Sequence, residues 1–325
     1  MTDLNNQIPV KGAQPLVAIA VPVYNGASFI EECLVSIQKQ TYTNWVCMVL
    51  DNCSNDDTFQ IAKSIADKDS RFQIYQNKDF LNVMQNWNEA SKHIPEEAAY
   101  YKIVPADDLL FSDFLQEMVG LMEANPTVGI CSSYRIDGVE IRGRGLDYFD
   151  GPVFNGKDVF EREIMSKIDV TGSANTYLVN MKYLRLLKSY PKFYNERNLH
   201  VDMELAYDLL NISDFGFVFK ALSYTRRHAE SITDSTTFRF NTSISSREQI
   251  LYNYYKNNSK LTNYYYQIRL IYAAYYLKNK LKGNRECVQW HDKHIIRPFT
   301  WIEYMKAIFL KNRFSYKLSQ KFKKK

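Results

Sequence analysis

Short apolar runs alternate with amphipathic stretches over the first half of the chain. Several runs are apolar throughout, as strands buried on both faces of a parallel sheet are, and this alternation predicts βαβ units. Ser28 with Glu31 fits the capping box that opens a helix, and Ser112 fits the N-cap of the fourth helix. The predicted strands are Val17–Val21, Trp45–Leu50, Phe72–Tyr75, Tyr100–Val104 and Val128–Ser132, and the predicted helices are Phe29–Gln38, Thr58–Ala66, Val83–His93 and Phe114–Glu123.

The second half follows a looser pattern. Glycines are frequent between residues 135 and 154, which predicts a loop or an irregular hairpin. From about residue 239 the composition shifts to tyrosine, lysine and asparagine in helix-like stretches. The predicted elements are helices at Asp158–Met165, Tyr183–Leu187, Met203–Leu210, Ile250–Lys256 and Leu261–Leu281, with strands at Asn175–Val179 and Phe215–Phe219.

These patterns predict an α/β fold with a mostly parallel sheet and a helical C-terminal appendage. A chain of 325 residues has room for one large domain with such an addition. We expect a polar N-terminal tail at 1–15, an α/β domain at 16–238 and a helical, tyrosine-rich region at 239–325. The α/β domain divides near residue 134, and the chain closes with a basic tail at 306–325.

Charge and cysteine content narrow the classes of protein. The formal net charge is +5, yet Lys306–Lys325 contains eight basic residues and no acid, which leaves −3 for residues 1–305. Nucleic-acid binding is therefore not expected, because the basic charge is confined to one end without a reader motif. The five cysteines form no CxxC pair, so we expect reduced thiols rather than disulfides or a zinc knuckle.

Membrane contact remains open at this stage. The longest apolar run, Leu16–Tyr24, is too short to cross a bilayer, and residues 1–14 lack the pattern of a secretory signal, so a cytoplasmic location is expected. Bulky apolar residues between Trp301 and Phe314 accompany the basic tail. Such a segment could lie on an anionic inner membrane surface, or it could be a solvated tail.

Polar clusters follow three of the predicted strands. They are Pro22–Gly26, Asp51–Asp57 and Pro105–Asp108. Ligands of open α/β sheets bind outside the carboxyl ends of the strands, so these clusters can share one site. Each cluster alone is also typical of an ordinary turn.

The absence of four motifs argues against the common enzyme classes that those motifs define. The sequence has no GxxxxGK[ST], no GxGxxG after the first strand, no HExxH and no GxSxG. What remains is a carboxylate site, in which Asp107 and Asp108 suit Mg²⁺ or Mn²⁺ bridging the phosphates of a substrate. The alternative is that this pair only stabilises the start of the helix near Ser112.

Four motifs together resemble a known family. Val21–Gly26, Asp51–Thr58, Asn86–Asn88 and Ala106–Asp108 resemble, in order and separation, the signatures of the GT-A, family 2 glycosyltransferases. The resemblance covers roughly residues 16–230. It implies a GT-A fold with a nucleotide half at 16–134 and an acceptor half at 135–238. It also implies an inverting, metal-dependent transfer from a nucleotide-sugar donor.

The resemblance carries roles to the nucleotide half. It puts Pro22 and Tyr24 beside the base and Asp51 with Asn52 at the base and ribose, and it includes Asn86 in the donor site. The family more often has Asp at the position of Asn52, so the nucleotide stays open among UDP, dTDP and GDP, with UDP preferred. It also puts Asp107 at the ribose or donor sugar and makes Asp108 the ligand of Mn²⁺ or Mg²⁺.

The resemblance also carries roles to the acceptor half. Asp202 is the candidate base that deprotonates the acceptor hydroxyl, although an acid at a helix start has an equally ordinary structural explanation. Glu204 is the second candidate, turned about 200° away on a helix. His228 is a candidate metal ligand, and Arg226 with Arg227 could neutralise the leaving diphosphate.

The predicted function is therefore a glycosyltransferase of surface-polysaccharide or glycoconjugate synthesis. Its partners would be a nucleotide-sugar donor and a saccharide or lipid-linked saccharide acceptor. One alternative is a sugar-phosphate nucleotidyltransferase, although Val23–Ala27 does not supply the glycine-rich basic loop of such enzymes. The other is a noncatalytic scaffold that keeps the fold and binds nucleotide or membrane.

Overall fold

A ten-stranded sheet forms the centre of the protein. The computed structural model describes residues 14–190, 200–228, 231, 236–237 and 239–309. Strand order along the sheet is β3-β2-β1-β4-β9-β6-β10-β5, with β7 paired to β6 and β8 to β10. The strands are β1 Val17–Val23, β2 Trp45–Asp51, β3 Phe72–Gln76, β4 Tyr100–Ile103, β5 Leu109–Leu110, β6 Val128–Asp137, β7 Glu140–Arg142, β8 Val153–Phe154, β9 Leu178–Asn180 and β10 Asp214–Thr225.

Helices cover both faces of this sheet. Strands β1 to β4 run parallel, as do β6 and β10, whereas β9 is antiparallel to both of its neighbours. This arrangement confirms the predicted α/β fold with a mostly parallel sheet. The helices are α1 Ile30–Gln38, α2 Thr58–Ala66, α3 Val83–Ser91, α4 Phe114–Ala124, α5 Gly156–Ile164, α6 Met181–Leu184, α7 Val201–Leu210, α8 Thr242–Tyr254, α9 Ser259–Leu281 and α10 Arg285–His294, followed by a helix at 301–309.

Strand β1 shows why the runs are apolar throughout. Its side chains alternate between two cores: Val17 and Ile19 pack with the α1, α2 and α4 side, whereas Ala18 and Ala20 pack with the opposite side. Successive side chains of a strand point to opposite faces. A strand covered on both faces therefore has no position left for a polar residue until its carboxyl end.

The predicted helix caps are wrong. Helix α1 begins at Ile30 with Phe29 as its N-cap and no side-chain cap, and Gly26 O accepts from the backbone N–H of Phe29 and Ile30 instead. Ser112 is likewise not the cap of α4, whose N-cap is Asp113. The capping box lies at α3, between Asn82 and Gln85.

Elements of the second half differ more from the predictions. Strand β6 extends to Asp137 and turns back into β7, which confirms the irregular hairpin. Asn175, predicted in a strand, lies in a 3₁₀ turn at Ala174–Thr176 before β9. The short strands β5 and β8 pair with the edge of β10, and their two-residue length gives no periodicity to detect.

The C-terminal helices pack onto the α/β domain. Ile250 and Leu251 of α8 and Leu261 of α9 share a core with Leu205 of α7. Arg269 is fully buried and bonds Glu248, Glu303 and the carbonyls of Arg297 and Pro298. The domain boundary at residue 239 stays a prediction.

A histidine and the cysteines complete the description of the interior. His291 is buried, with its ring nitrogens at Tyr272 Oη and Phe240 O. All five cysteines are free thiols, as expected. Among the described residues, no helix combines the length and apolar character needed to span a bilayer.

Candidate active site

Hydrogen bonds join the loops that follow β1 and β2. The backbone N–H of Asn25 donates to Ser54 Oγ at 2.8 Å, and that of Gly26 donates to Thr58 Oγ1 at 2.8 Å. The backbone of Asn25 is left-handed, with φ 49°, a conformation that Asn tolerates better than most residues. The first two polar clusters therefore form one rim, as the convergence of parallel strand ends predicts.

The first predicted nucleotide contacts lie at the outer end of this rim. Tyr24 is 47% exposed and packs edge-on against Phe80, which is 61% exposed, with ring centroids 4.9 Å apart. Pro22 is buried within β1. Asp51 is 1% exposed, and its Oδ2 accepts from Ser54 N and Gln76 Nε2, while its Oδ1 is buried without a hydrogen-bond partner.

The amide of Asn52 is hydrogen-bonded within the protein. Its side chain is buried; Nδ2 donates to Leu81 O at 2.7 Å, and Oδ1 accepts from Leu81 N at 2.9 Å and from Asn77 Nδ2. These bonds anchor the loop between β3 and α3. The contact of Asn52 with a base stays a prediction. Asn86 is also buried and accepts from Asn77 through Oδ1. Its contact with the nucleotide-sugar donor stays a prediction.

The two adjacent acids after β4 have different surroundings. Asp108 is 3% exposed, and it accepts from the backbone N–H of Arg226 at 3.0 Å and from Thr225 Oγ1. Burial, followed by the nearby charge of Asp107, raises the pKa of Asp108 well above its usual range. Asp107 is more exposed, and its Oδ2 lies 3.0 Å from His228 Nε2. Asp107 and His228 therefore form the accessible pair, and Asp108 lies beneath.

Arginines surround this acidic pair. Arg226 donates through Nε to Asp107 O and pairs with Glu32, and its guanidinium lies over the ring of Phe29. Arg227 donates through Nε and Nη2 to the two carboxylate oxygens of Asp137 in β6. These contacts fix positive charge at the rim, where a diphosphate could be bound.

The candidate base Asp202 lies at the start of α7. Its Oδ2 accepts from the backbone N–H of Ala174 at 3.1 Å. Burial raises its pKa, which the neighbouring His200 partly offsets. Lys102 of β4 is fully buried and donates to Ala174 O at 2.7 Å, and burial lowers its pKa. Lys102 thus fixes the turn that holds Asp202.

A cavity of about 490 Å³ brings the two halves together. Asp107, Asp108 and Asp202 all line it. The other predicted site residues lie outside its lining: Pro22, Tyr24, Asp51, Asn52, Asn86 and His228, of which His228 contacts Asp107. Glu204, the second candidate base, bonds Asn253 instead. The further polar lining includes Arg135, Asp137, Asp169, Ser173, His200, Arg226, Arg227 and Arg247.

Sequence reasoning missed several residues of this site. Lys102 lies in a run predicted as a buried strand, and a lysine inside such a run was the available signal. Phe80 and Asp137 carried no local signal, because only the fold brings them to Tyr24 and Arg227. Gly172 carried no local signal either. Its φ is +60°, and a Cβ at this position would lie 2.2 Å from Nη1 of Arg135, so the absence of a side chain leaves room for that guanidinium.

Solved structures share this architecture. The chain aligns with S. aureus TarS in complex with UDP-GlcNAc at a TM-score of 0.56 and 18% identity, over 73% of this chain and 66% of that one. It aligns with a mannosyltransferase from Pyrobaculum calidifontis, in complex with GDP-Man and Mn²⁺, at a TM-score of 0.54 and 18% identity, over 75% and 65% of the two chains. The fold is therefore the GT-A fold of nucleotide-sugar transferases, as predicted.

Sequence comparison identifies the family. The model of glycosyl transferase family 2 matches residues 18–179. Glycosyltransferase GlyG of Streptococcus pneumoniae is 26% identical over 153 residues, which are 47% of this chain and 50% of GlyG. A glycosyltransferase of Haemophilus influenzae is 28% identical over 123 residues, 37% of this chain and 47% of that protein. The chain thus spans about half the length of these relatives.

Through residues 18–179 the chain belongs to glycosyl transferase family 2. The predicted membership of this family is confirmed.

Glu163 supports the turn below the candidate base. Its Oε1 accepts from Thr171 N at 3.1 Å and Thr171 Oγ1 at 2.6 Å, just before the turn that carries Ala174. Burial raises the pKa of Glu163 to about 7. An unfolded glutamate loses its proton near pH 4.3. Between those values the folded state holds more protons than the unfolded state, so this group lowers stability as pH rises.

We therefore predict that Glu163→Gln removes a pH-dependent loss of stability. The free energy of unfolding of the parent, minus that of the variant, should fall by roughly 2 to 3 kcal/mol from about pH 5 to about pH 8. Chemical denaturation across this range measures it, with the exposed Glu97→Gln as the matched control. A difference that stays constant with pH would contradict the raised pKa.

Proposed function

We propose that this protein is an inverting, metal-dependent glycosyltransferase acting on a nucleotide-sugar donor and a saccharide or lipid-linked saccharide acceptor. Surface-polysaccharide or glycoconjugate synthesis is the process that such a reaction serves. The observation that carries the proposal is the single cavity lined by Asp107, Asp108 and Asp202. It joins a carboxylate pair suited to a metal diphosphate with a separate carboxylate suited to proton removal.

The donor nucleotide would lie along the rim formed by the loops after β1 and β2. The exposed pair of Tyr24 and Phe80 offers aromatic surface to a base. Asp51 Oδ1 is a buried acceptor without a partner, and a donor group of the base or ribose would satisfy it. UDP is our first choice, with dTDP and GDP as the alternatives, since the neighbouring structures hold UDP-GlcNAc and GDP-Man.

A divalent metal fits the residues at the diphosphate end. Asp107 Oδ2 and His228 Nε2 are adjacent donor atoms, and His228 Nδ1 is buried without a partner. Mg²⁺ and related ions commonly take one or two protein side chains plus phosphate oxygens, so the lack of a three-ligand cluster among the described residues is compatible. The sequence resemblance implied Asp108 as the metal ligand and Asp107 at the ribose or donor sugar. Because Asp108 is buried, we propose instead that Asp107 and His228 are the accessible ligands and that Asp108 is the buried carboxylate beneath them.

The chain's own residues would then perform the displacement. When bound, Mn²⁺ or Mg²⁺ supplies Lewis-acid stabilisation of the diphosphate. Arg226 and Arg227 add fixed positive charge at the leaving group. Asp202 would take the proton of the acceptor hydroxyl as the hydroxyl oxygen attacks the anomeric carbon from the face opposite the diphosphate. The raised pKa of Asp202 strengthens it as a base.

The first test is nucleotide binding. Calorimetric titration with UDP, dTDP and GDP, each with and without Mn²⁺, should find one that binds in a metal-dependent manner. Asp107→Asn should weaken that binding at least about tenfold, because the variant loses a charged ligand. Asp67→Asn, an exposed acid at the end of α2, is the control. A folded parent that binds none of the three would refute the proposed donor site.

The second test separates the candidate base from the scaffold alternative. Release of nucleoside diphosphate from the matching sugar nucleotide, with water or saccharides as acceptor, should fall by about 10² to 10⁴ in Asp202→Asn. Nucleotide binding should stay unchanged. Glu204→Gln on the same helix is the control and should keep the parent rate. A parent that binds nucleotide but releases none with any acceptor would favour the scaffold.

The helix at 301–309 supports a peripheral membrane association. Trp301 and Phe309 are 73% and 68% exposed, and Ile302 and Ile308 are exposed beside them on one helical face. The opposite face is attached to the body through Ala307, which is buried, and through Glu303, which bonds Arg269. Residues 311–325 add seven basic side chains in the sequence. We propose that this face and the basic segment lie on the anionic inner surface of the membrane.

Vesicle sedimentation tests this association. The protein should sediment with vesicles that contain phosphatidylglycerol and much less with pure phosphatidylcholine, and added salt should release it. The double change Trp301→Gln with Phe309→Gln should weaken binding about tenfold or more, because two aromatic side chains that would be buried in the membrane are lost. Ile271→Gln, an exposed apolar residue of α9, is the control. Equal recovery with both lipids would favour a solvated tail.

A further inference from the structure

A second cavity, of about 390 Å³, opens beside the candidate active site. Asp169, Met203 and Arg247 line both cavities, so the two cavities adjoin. None of the residues proposed above for the nucleotide, the metal or proton removal lines it. The rest of its lining comes from the segment before β8 and from the end of α5: Arg144, Gly145, Glu163, Ser166, Lys167 and Ile168.

Three cations line this second cavity without a counter-charge. Over the described parts of the chain, Arg144, Lys167 and Arg247 have neither an ion pair within 4 Å nor a side-chain hydrogen bond. Arg226 and Arg227 of the first cavity differ, because each is paired with a carboxylate. Arg247 is also partly buried, and a partly buried guanidinium ordinarily has an acceptor for its five N–H donors.

The acids of the second cavity do not balance these cations. Glu163 is buried and accepts from Thr171 through Oε1, so its carboxyl group is already used within the fold. Burial raises its pKa to about 7, which reduces its negative charge near neutral pH. Asp169 is therefore the one exposed acid against three cations in this lining. The cavity is cationic and has donors to offer to an anion.

Its position relative to the candidate base gives the cavity a role. Met203 and Arg247 form the wall that both cavities share, and Met203 follows Asp202 directly on α7. A molecule that extends from one cavity into the other passes this wall. An anionic group held in the second cavity would therefore leave a neighbouring hydroxyl of the same molecule beside Asp202.

We propose that the second cavity is an oxyanion subsite for the acceptor. Arg247 at the junction, with Lys167 and Arg144 at the rim, binds a phosphate or carboxylate group that the acceptor carries close to its reactive hydroxyl. The acceptor is then an acidic saccharide or a sugar joined to a phosphate, and neutral saccharides are poor acceptors. This role rests on the proposed transferase activity, whereas anion binding by the cavity does not.

Calorimetric titration with small anions tests the subsite. Glycerol 2-phosphate and glucuronate are the phosphate and carboxylate probes, and glucose is the neutral control. UDP with Mn²⁺ is present at saturation, so that the diphosphate end is occupied. We expect one or both anions to bind and glucose not to bind. Stronger binding of one probe tells which of the two groups the acceptor carries.

Single charge removals locate the binding. Arg247→Gln and Lys167→Gln should each weaken anion binding about tenfold or more, since each removes a charge-assisted contact. Lys157→Gln, an exposed cation of α5 outside the lining, is the control and should bind as the parent does. Lys167 is exposed, so its removal tests the subsite even if Arg247→Gln fails to fold.

The outcomes separate this proposal from the proposed function. No anion binding by the folded parent, or unchanged binding in both Arg247→Gln and Lys167→Gln, would overturn the subsite. If the parent binds no nucleotide, the proposed function fails, and the anion titrations are repeated without UDP. Their dependence on Arg247 and Lys167 then still decides the subsite, with Lys157→Gln as the variant that should leave anion binding unchanged.

Discussion

The buried carboxylate of Asp108 is the contact on which the geometry of the candidate site depends. It follows β4 in the nucleotide half and accepts from Thr225 Oγ1 and from Arg226 N at the end of β10. A buried carboxylate needs such donors, because leaving it unpaired costs several kcal/mol. The requirement fixes the end of β10 beside the end of β4. Asp107, Arg226 and His228 are brought together as a consequence.

A second buried charge does the same for the acceptor half. Lys102 has no carboxylate within ion-pair distance in the described chain, yet it donates to Ala174 O, and the N–H of Ala174 donates to Asp202. Burial raises the pKa values of Asp108 and Asp202 and lowers that of Lys102, so each shift favours the neutral form of the group. Shifts of this kind cluster at functional sites. The cost of burying these groups is offset by hydrogen bonds that hold the cavity in one shape.

Local signals predicted the first half of the fold well and the second half less well. Helix α2 lies at the predicted residues Thr58–Ala66, and β1 to β4 lie where short apolar runs predicted strands. The predicted cap of α1 was wrong because the carbonyl of Gly26, rather than a side chain, accepts from the first backbone N–H groups. A backbone acceptor of this kind leaves no signal in the sequence. The bonds of Asn52 to Leu81 were equally out of reach of a local pattern, because they depend on the return of the loop after β3.

The sequence by itself determined the α/β class, the family and the strand-end positions of the candidate acids, since these depend on periodicity and on the order of motifs. Only the tertiary structure decided which of two adjacent acids is accessible, that Lys102 supports Asp202, and that the unpaired Arg247 faces a second cavity. The physical reason is that burial and pairing belong to contacts between residues distant in the chain. Asp108 and Arg226 are separated by 118 positions, and no local pattern contains that distance.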